Sequence, residues 1–254
     1  MLCVVTQIAK AQPDTTLIAQ PTSVVAADPA NITVRAEQLY NEGQYADALS
    51  LFETLTTSPE ALYNAGNCHY KLGDLAYAIL YYERALLLDP SDEDVRSNLA
   101  LVQGMTVDKL DNKEYFLLKR WFDQLRDLQG ERAWSYTTIA LFSIFLIGAF
   151  LFFFGKVSRL KQLGFYGALL TLLLFIFSMT LASSAKDKLT ERNRAVITSA
   201  TITLRSSPDK SGTELFILHE GTVVSIESSL SGWLEIELRD GRVGWVEESH
   251  LVVI

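Results

Sequence analysis

The residue types that ordinarily carry catalysis are few here, and their spacing supports none. Two cysteines (Cys3, Cys68) and three histidines (His69, His219, His250) occur in 254 residues. They are scattered without the spacing of metal ligands. There is no glycine-rich phosphate loop, no Ser/His/Asp or Cys/His pattern, and no pair of carboxylates in a defined acid/base setting. The chain is therefore expected to be no enzyme and to use no metal or cofactor. What is left is non-covalent recognition, and the elements that would present it fall into three unlike segments.

Charge separates those segments. Residues 31–112 carry 5 Lys/Arg against 13 Asp/Glu and residues 196–254 carry 4 against 9, whereas residues 113–195 carry 12 against 6. Two acidic ends around a basic, apolar middle is the balance of soluble domains attached to a membrane segment. Neither end offers the basic face that phosphate-backbone binding needs, so nucleic acid is not an expected partner.

Ala133–Phe154 holds no charged side chain over 22 residues and Leu163–Ala185 none over 23. A helix needs about 20 to cross the hydrocarbon core. Trp134 and Tyr136 stand at the first boundary, as aromatic anchors do. The connection 155–162 carries Lys156, Arg159 and Lys161 without an acid, which makes it a cytoplasmic loop by the positive-inside rule. Two spans return the chain to its starting side, so both soluble domains are expected to face one compartment. With no ionisable group inside either span, transport by this chain alone is not expected. Gly148, Gly164, Gly167, Ser178 and Ser183 are small enough for close helix contact. Ahead of the first span, within 113–132, Leu118, Trp121, Phe122, Leu125 and Leu128 recur at helical spacing among Lys119, Arg120 and Arg126. This predicts an amphipathic juxtamembrane helix that either lies on the membrane surface or packs against the N-terminal domain. Residues 186–194 read as a linker.

The N-terminal segment repeats itself. Gly43, Tyr45, Ala48, Phe52 and Glu53 align with Gly73, Leu75, Ala78, Tyr82 and Glu83 thirty residues on. Each copy reads as helix, turn at the glycine, helix; the glycine ends the first helix, and the alanine admits a close neighbour. The second copy, with Leu62, Tyr63, Gly66, Gly73, Asp74, Ala78, Tyr82, Ala85, Asp89 and Pro90, resembles the tetratricopeptide repeat. Residues 93–103 read as a third repeat that becomes a capping helix. Two repeats and a cap lie near the lower limit for a stable solenoid, so the array is expected to depend on docking to something. The resemblance implies a peptide-binding concave face carrying Glu37, Tyr40, Tyr63, Asn67, Tyr70, Lys71 and Ser97. Asn67 can bracket a backbone group with its donor and its acceptor. Thr33, Glu37 and Asp94 stand where carboxylate-clamping versions carry Lys or Arg, so carboxylate capture is not expected. The competing reading is packing for Tyr63 and Tyr70 and simple solvation for Lys71. Cys68 falls on the packing side, as a buried inert thiol.

Beyond residue 195 the period changes to two. Thr222–Glu227 and Trp233–Leu238 alternate apolar and polar, and Asp240-Gly241 between two strands signals a tight hairpin. Leu204 to Pro208, Glu220-Gly221-Thr222, Gly232-Trp233 and Asp240 to Val246 resemble the bacterial SH3-like domain, a small closed barrel. Trp233 and Trp245 are candidates for its ligand groove, with core packing as the alternative.

At the start, Ala9-Lys10-Ala11 is a small-residue cleavage pattern after a short apolar stretch. Residues 1–11 are read as the remnant of a signal peptide that begins upstream, and 12–30 as a linker. The expected architecture is multidomain: an all-α tetratricopeptide solenoid over 31–112, a two-helix transmembrane hairpin, and an all-β SH3-like small barrel over 195–254. This order resembles the BatE family of aerotolerance-operon proteins. The resemblance implies a scaffold at the bacterial inner membrane with both soluble domains in the periplasm, active in envelope stress. Its implied partners are membrane proteins with von Willebrand A domains and a MoxR-type ATPase system. Two other readings stand beside it: a cell-wall peptide sensor acting through the SH3-like domain, and an accessory subunit of a membrane complex.

Overall fold

The computed structural model describes residues 28–109, 117–190 and 193–254. The expected leader remnant over 1–11 and residues 12–27 of the expected linker lie outside them. Helices α1 (Pro29–Asn41), α2 (Tyr45–Phe52), α3 (Pro59–Leu72), α4 (Leu75–Leu88) and α5 (Glu93–Gln103) form a helical repeat region. Their ends follow from local chemistry. Asp28, Ser58, Asp74 and Asp92 accept backbone N–H groups as N-caps, and Pro29 and Pro59 stand in first turns, where a missing N–H costs nothing. Pro29 thus starts α1 two residues ahead of the expected boundary. Gly43 and Gly73 close α1 and α3 at φ of 81° and 85°, the left-handed conformation that glycine adopts without strain. Small residues then let the helices close. A Cβ on Gly66 would lie 2.6 Å from the Tyr82 ring, so the bare backbone there is what seats Tyr82 between α3 and α4.

Helices α7 (Glu131–Phe154) and α8 (Ser158–Thr190) are long and apolar enough to cross a membrane. They pack antiparallel through small residues: a Cβ on Gly164 would meet Phe152 N at 2.7 Å, and one on Gly148 would meet Ala168 N at 3.0 Å. Thr138 and Ser178 share a hydrogen bond of 2.8 Å across the pair. Gly167 faces open space. Helix α8 is longer than its uncharged stretch. The loop read over 155–162 shrinks to 155–157, and much of the linker read over 186–194 is helical. Its last turns are held by Lys188, whose Nζ lies 3.1 Å from Asp127.

Helix α6 (Leu117–Arg126) packs on this hairpin rather than on the repeat region. Phe122 and Leu125 close over Trp134, Leu181 and Ala185, and Trp134 Nε1 donates to the Arg126 carbonyl at 2.8 Å. The rest of the expected amphipathic segment, 113–116, lies outside the described residues.

The C-terminal segment is one antiparallel sheet of β1 (Arg194–Ile197), β2 (Thr201–Arg205), β3 (Glu214–His219), β4 (Val223–Leu230), β5 (Trp233–Glu237), β6 (Val243–Glu247) and β7 (Leu251–Val253), in the order β3-β2-β6-β5-β4-β1-β7. The Asp240-Gly241 turn joins β5 to β6, with Gly241 at φ 91°. Its core is aliphatic: Ile197, Ile202, Leu204, Leu218, Ile236, Leu238 and Val246 are buried together. Trp233 and Trp245 are half-buried and belong to no buried cluster. The β5–β6 register pairs Trp233 with Glu247 and Glu235 with Trp245, which sets the two indoles diagonally on one face.

Candidate functional site

Helices α1, α3 and α5 present a groove of about 260 Å³, lined by Tyr40, Tyr63, Asn67, Tyr70, Lys71, Tyr82, Asn98, Leu101 and Val102. Five of the seven residues read from the sequence therefore meet in one place; Glu37 and Ser97 do not line it. Glu37 is exposed on α1. Tyr40, Tyr63 and Tyr70 each rest partly on the repeat core, so packing and lining are both roles of these rings. Lys71 is exposed at the rim.

The polar floor is a small network. Tyr82 Oη donates to Asn67 Oδ1 at 2.7 Å, and Asn98 Nδ2 donates to Asn67 Oδ1 at 3.3 Å and to Tyr63 Oη at 2.9 Å. The acceptor of Asn67 is thus engaged inside the fold. Its Nδ2 has no partner among the described residues, so Asn67 offers a ligand a donor alone, and not the donor–acceptor pair read from the sequence. Burial raises the Tyr40 phenol above its ordinary pKa and raises that of Tyr82 further, so both remain neutral hydroxyls. Rings, one amide donor and one ammonium suit an extended peptide.

Asn98 and Tyr82 were not legible as lining residues. A repeat alignment carries Tyr63 onto Ser97, but α5 presents Asn98; one residue is about 100° of helix rotation, and the spacing of a degenerate third repeat does not fix it.

The cysteine and histidines stand apart. Cys68 is fully buried, and burial pushes its thiol up to about 11. His69 stacks on Tyr77 and Tyr81. Burial lowers its pKa despite Asp74 at 3.4 Å. No group of three metal-ligating side chains occurs among the described residues.

A second constellation joins the repeat region to the sheet domain on the α4 side. Glu83 is buried and faces Arg194 Nη2 at 2.9 Å and Arg239 Nη2 at 3.7 Å. Arg84 Nη2 donates to the Val253 carbonyl at 2.7 Å. Asp108, beyond α5, accepts from His219 N at 2.7 Å and Thr222 Oγ1 at 2.7 Å, and its Oδ1 lies 2.9 Å from His219 Nδ1. Burial alone would raise the Asp108 carboxyl; the hydrogen bonds from Thr222 and His219 outweigh it and hold it below the usual carboxylate range. Val196, Val223, Val252 and Ile254 enter the repeat core itself. The C-terminal domain thus packs directly on the repeat region.

Residues 59–92 match the family model of the tetratricopeptide repeat, and residues 200–252 match that of the bacterial SH3 domain. No curated protein matches the chain. These two matches support protein partners in general.

Proposed function

We propose that this chain is a non-enzymatic, membrane-anchored adaptor whose repeat region, a short tetratricopeptide solenoid, captures an extended segment of a partner protein in the α1/α3/α5 groove. The carrying observation is that this groove, with four tyrosines, Asn67 and Lys71 on it, stays open while the α4 side is covered by the SH3-like domain. Helices α7 and α8 are the anchor, and an even number of crossings leaves both domains in one compartment. The order of segments supports an envelope scaffold of the BatE type, in the periplasm and in the company of von Willebrand A-domain membrane proteins and a MoxR-type ATPase. The test is a photo-crosslinking residue at Leu101, a half-exposed groove position, in intact membranes. Tyr70→Ala with Lys71→Glu should abolish the crosslink while the protein still melts cooperatively. A crosslink that survives both changes refutes groove capture.

A second reading has its own observation. Trp233 and Trp245 share an outer sheet face instead of filling the core, as a platform for a cell-wall peptide would. Full-length protein in detergent should then co-sediment with purified sacculi and lose that property in Trp245→Ala; absence of sedimentation ends this reading.

A further inference from the structure

Helix α6 and the residue after it run alongside the end of α8. Trp121 stacks on Phe177 with centroids 6.4 Å apart, Phe122 meets the same ring edge-on at 6.5 Å, Arg126 Nη1 reaches Ser184 Oγ at 3.5 Å, and Lys188 pairs with Asp127. Trp121 to Asp127 on one side thus tracks Phe177 to Lys188 on the other. A helix lying flat over the end of the hairpin would not do this. Phe177 lies eight residues inside Ala185, the end of the uncharged stretch, which is about 12 Å at 1.5 Å per residue. Leu117, Leu118 and Trp121, exposed by 78%, 70% and 55%, therefore stand at the depth of the acyl chains and continue the lipid-facing surface of the hairpin.

Above them, between α5 and α6, opens a cleft of about 590 Å³ lined by Arg96, Arg120, Asp123, Gln124, Asp127 and Leu128. Its two carboxylates are already engaged: Asp123 pairs with Arg126 at 2.9 Å, and Asp127 pairs with Arg126 at 2.9 Å and Lys188 at 3.1 Å. Among the described residues, Arg96 bonds only to the carbonyl oxygens of Pro90 and Asp127, and Arg120 has no carboxylate partner. Two guanidinium groups are thus left, among the described residues, without a counter-charge at the level where a bilayer carries its phosphates. The Arg120 stem is long enough to lift its head from the apolar level of Trp121.

We propose that this cleft is a phospholipid site. Arg96 and Arg120 take the phosphate of a glycerophospholipid in the domain-side leaflet, in the fork geometry guanidinium groups favour, and the acyl chains lie along Leu117, Leu118 and Trp121. The inference rests on the membrane-anchor reading of α7 and α8, and the experiment separates the two. Full-length protein with Cys3→Ser and Cys68→Ala receives an environment-sensitive label at Leu118→Cys or at Ile147→Cys, an exposed position within α7, in vesicles of phosphatidylcholine and phosphatidylglycerol. Both labels should be quenched by nitroxides on the acyl chains and shielded from aqueous iodide. If iodide reaches position 118 and not 147, the lipid site falls and the anchor stands; if it reaches both, the anchor reading falls too. In detergent, Arg96→Gln with Arg120→Gln should weaken binding of fluorescent phosphatidylglycerol about tenfold, and inorganic phosphate should not displace the lipid. Unchanged affinity in the double variant, or displacement by phosphate alone, overturns the proposal; the latter marks a free-anion site.

Discussion

Replacing Glu83 by Gln keeps the side-chain volume and removes a charge from a site that is 6% exposed and faced by Arg194 and Arg239. Stranding one partner of a fully buried ion pair costs about 3–5 kcal/mol. Here the two arginine side chains are 30% and 38% exposed, so each keeps part of its hydration once the carboxylate is gone, and the Gln oxygen still accepts one bond. Those two facts reduce the loss to roughly 2 kcal/mol. For a domain pair of this size that is a fall of roughly 4–8 °C in melting midpoint. The assay is thermal unfolding of the full chain in detergent, with hydrogen exchange followed peptide by peptide. Protection should drop first in β1 and β7, which hold Arg194 and Val253 against α4, before it drops in α3. Arg194→Gln should cost about 1 kcal/mol less in the Glu83→Gln background than in the parent. A midpoint within about 1 °C of the parent, with β1 exchange unchanged, would refute the view that this pair holds the two domains together.

Three further outcomes follow from the same structure. Asp108 has its folded pKa depressed, so its stabilising contribution is complete above the ordinary carboxylate value near 4 and is lost as pH falls through the lower folded value; Asp108→Asn should lower the midpoint at pH 7 and flatten the acid limb of the stability profile, as read from melts across pH. Gly66→Ala places a methyl 2.6 Å from a Tyr82 ring that is tethered through Oη to Asn67, and should destabilise by about 1–3 kcal/mol in urea titration. Cys68, its thiol pushed up to about 11 by burial, should alkylate at pH 8 at least about a hundredfold more slowly in the native protein than in urea, measured by mass spectrometry of its peptide.

Elements with a strong period were legible from the residues, and contacts between elements were not. The glycines at 43 and 73, the uncharged stretches, and the alternation around Asp240-Gly241 each encode a local geometry, and each stands where it was read. The repeat pattern brings Tyr40, Tyr63, Asn67, Tyr70 and Lys71 to one groove but leaves Glu37 outside it, and Asn98 was not foreseen because α5 has no full repeat to set its rotation. The partner of the short array was invisible for a different reason. Glu83, Arg194 and Arg239 carry no mutual spacing, since the pairing is made by a hairpin folding between them. One signal was present: α4 is apolar nearly all round, with Glu83 inside it, and such a helix is buried on more than one side. For Trp233 and Trp245 the sequence favoured core packing over a groove, and both stand outside the buried cluster, because alternation fixes that two residues share a face, not which face is inside.

The hairpin itself then becomes testable as something other than an anchor. Glu83 and Arg194 are separated by about a hundred residues, and the antiparallel packing of α7 and α8 shortens the effective loop between them to about half; by the logarithmic dependence of closure entropy, that is worth only about 0.6 kcal/mol. The Glu83, Arg84 and Asp108 contacts outweigh it several-fold, so docking of the SH3-like domain should survive a change of spans. Exchanging residues 137–178 for an unrelated two-span hairpin, with α6 and the last turns of α8 kept so that Asp127 still meets Lys188, should leave hydrogen-exchange protection of β1 as it was. A replacement with one span instead of two should abolish that protection, because it puts β1 across the bilayer from α4. Loss of β1 protection in the two-span exchange would mean that these particular helices, and not the parity of crossing, position the domains, and an accessory subunit held through its spans would become the better account of the protein.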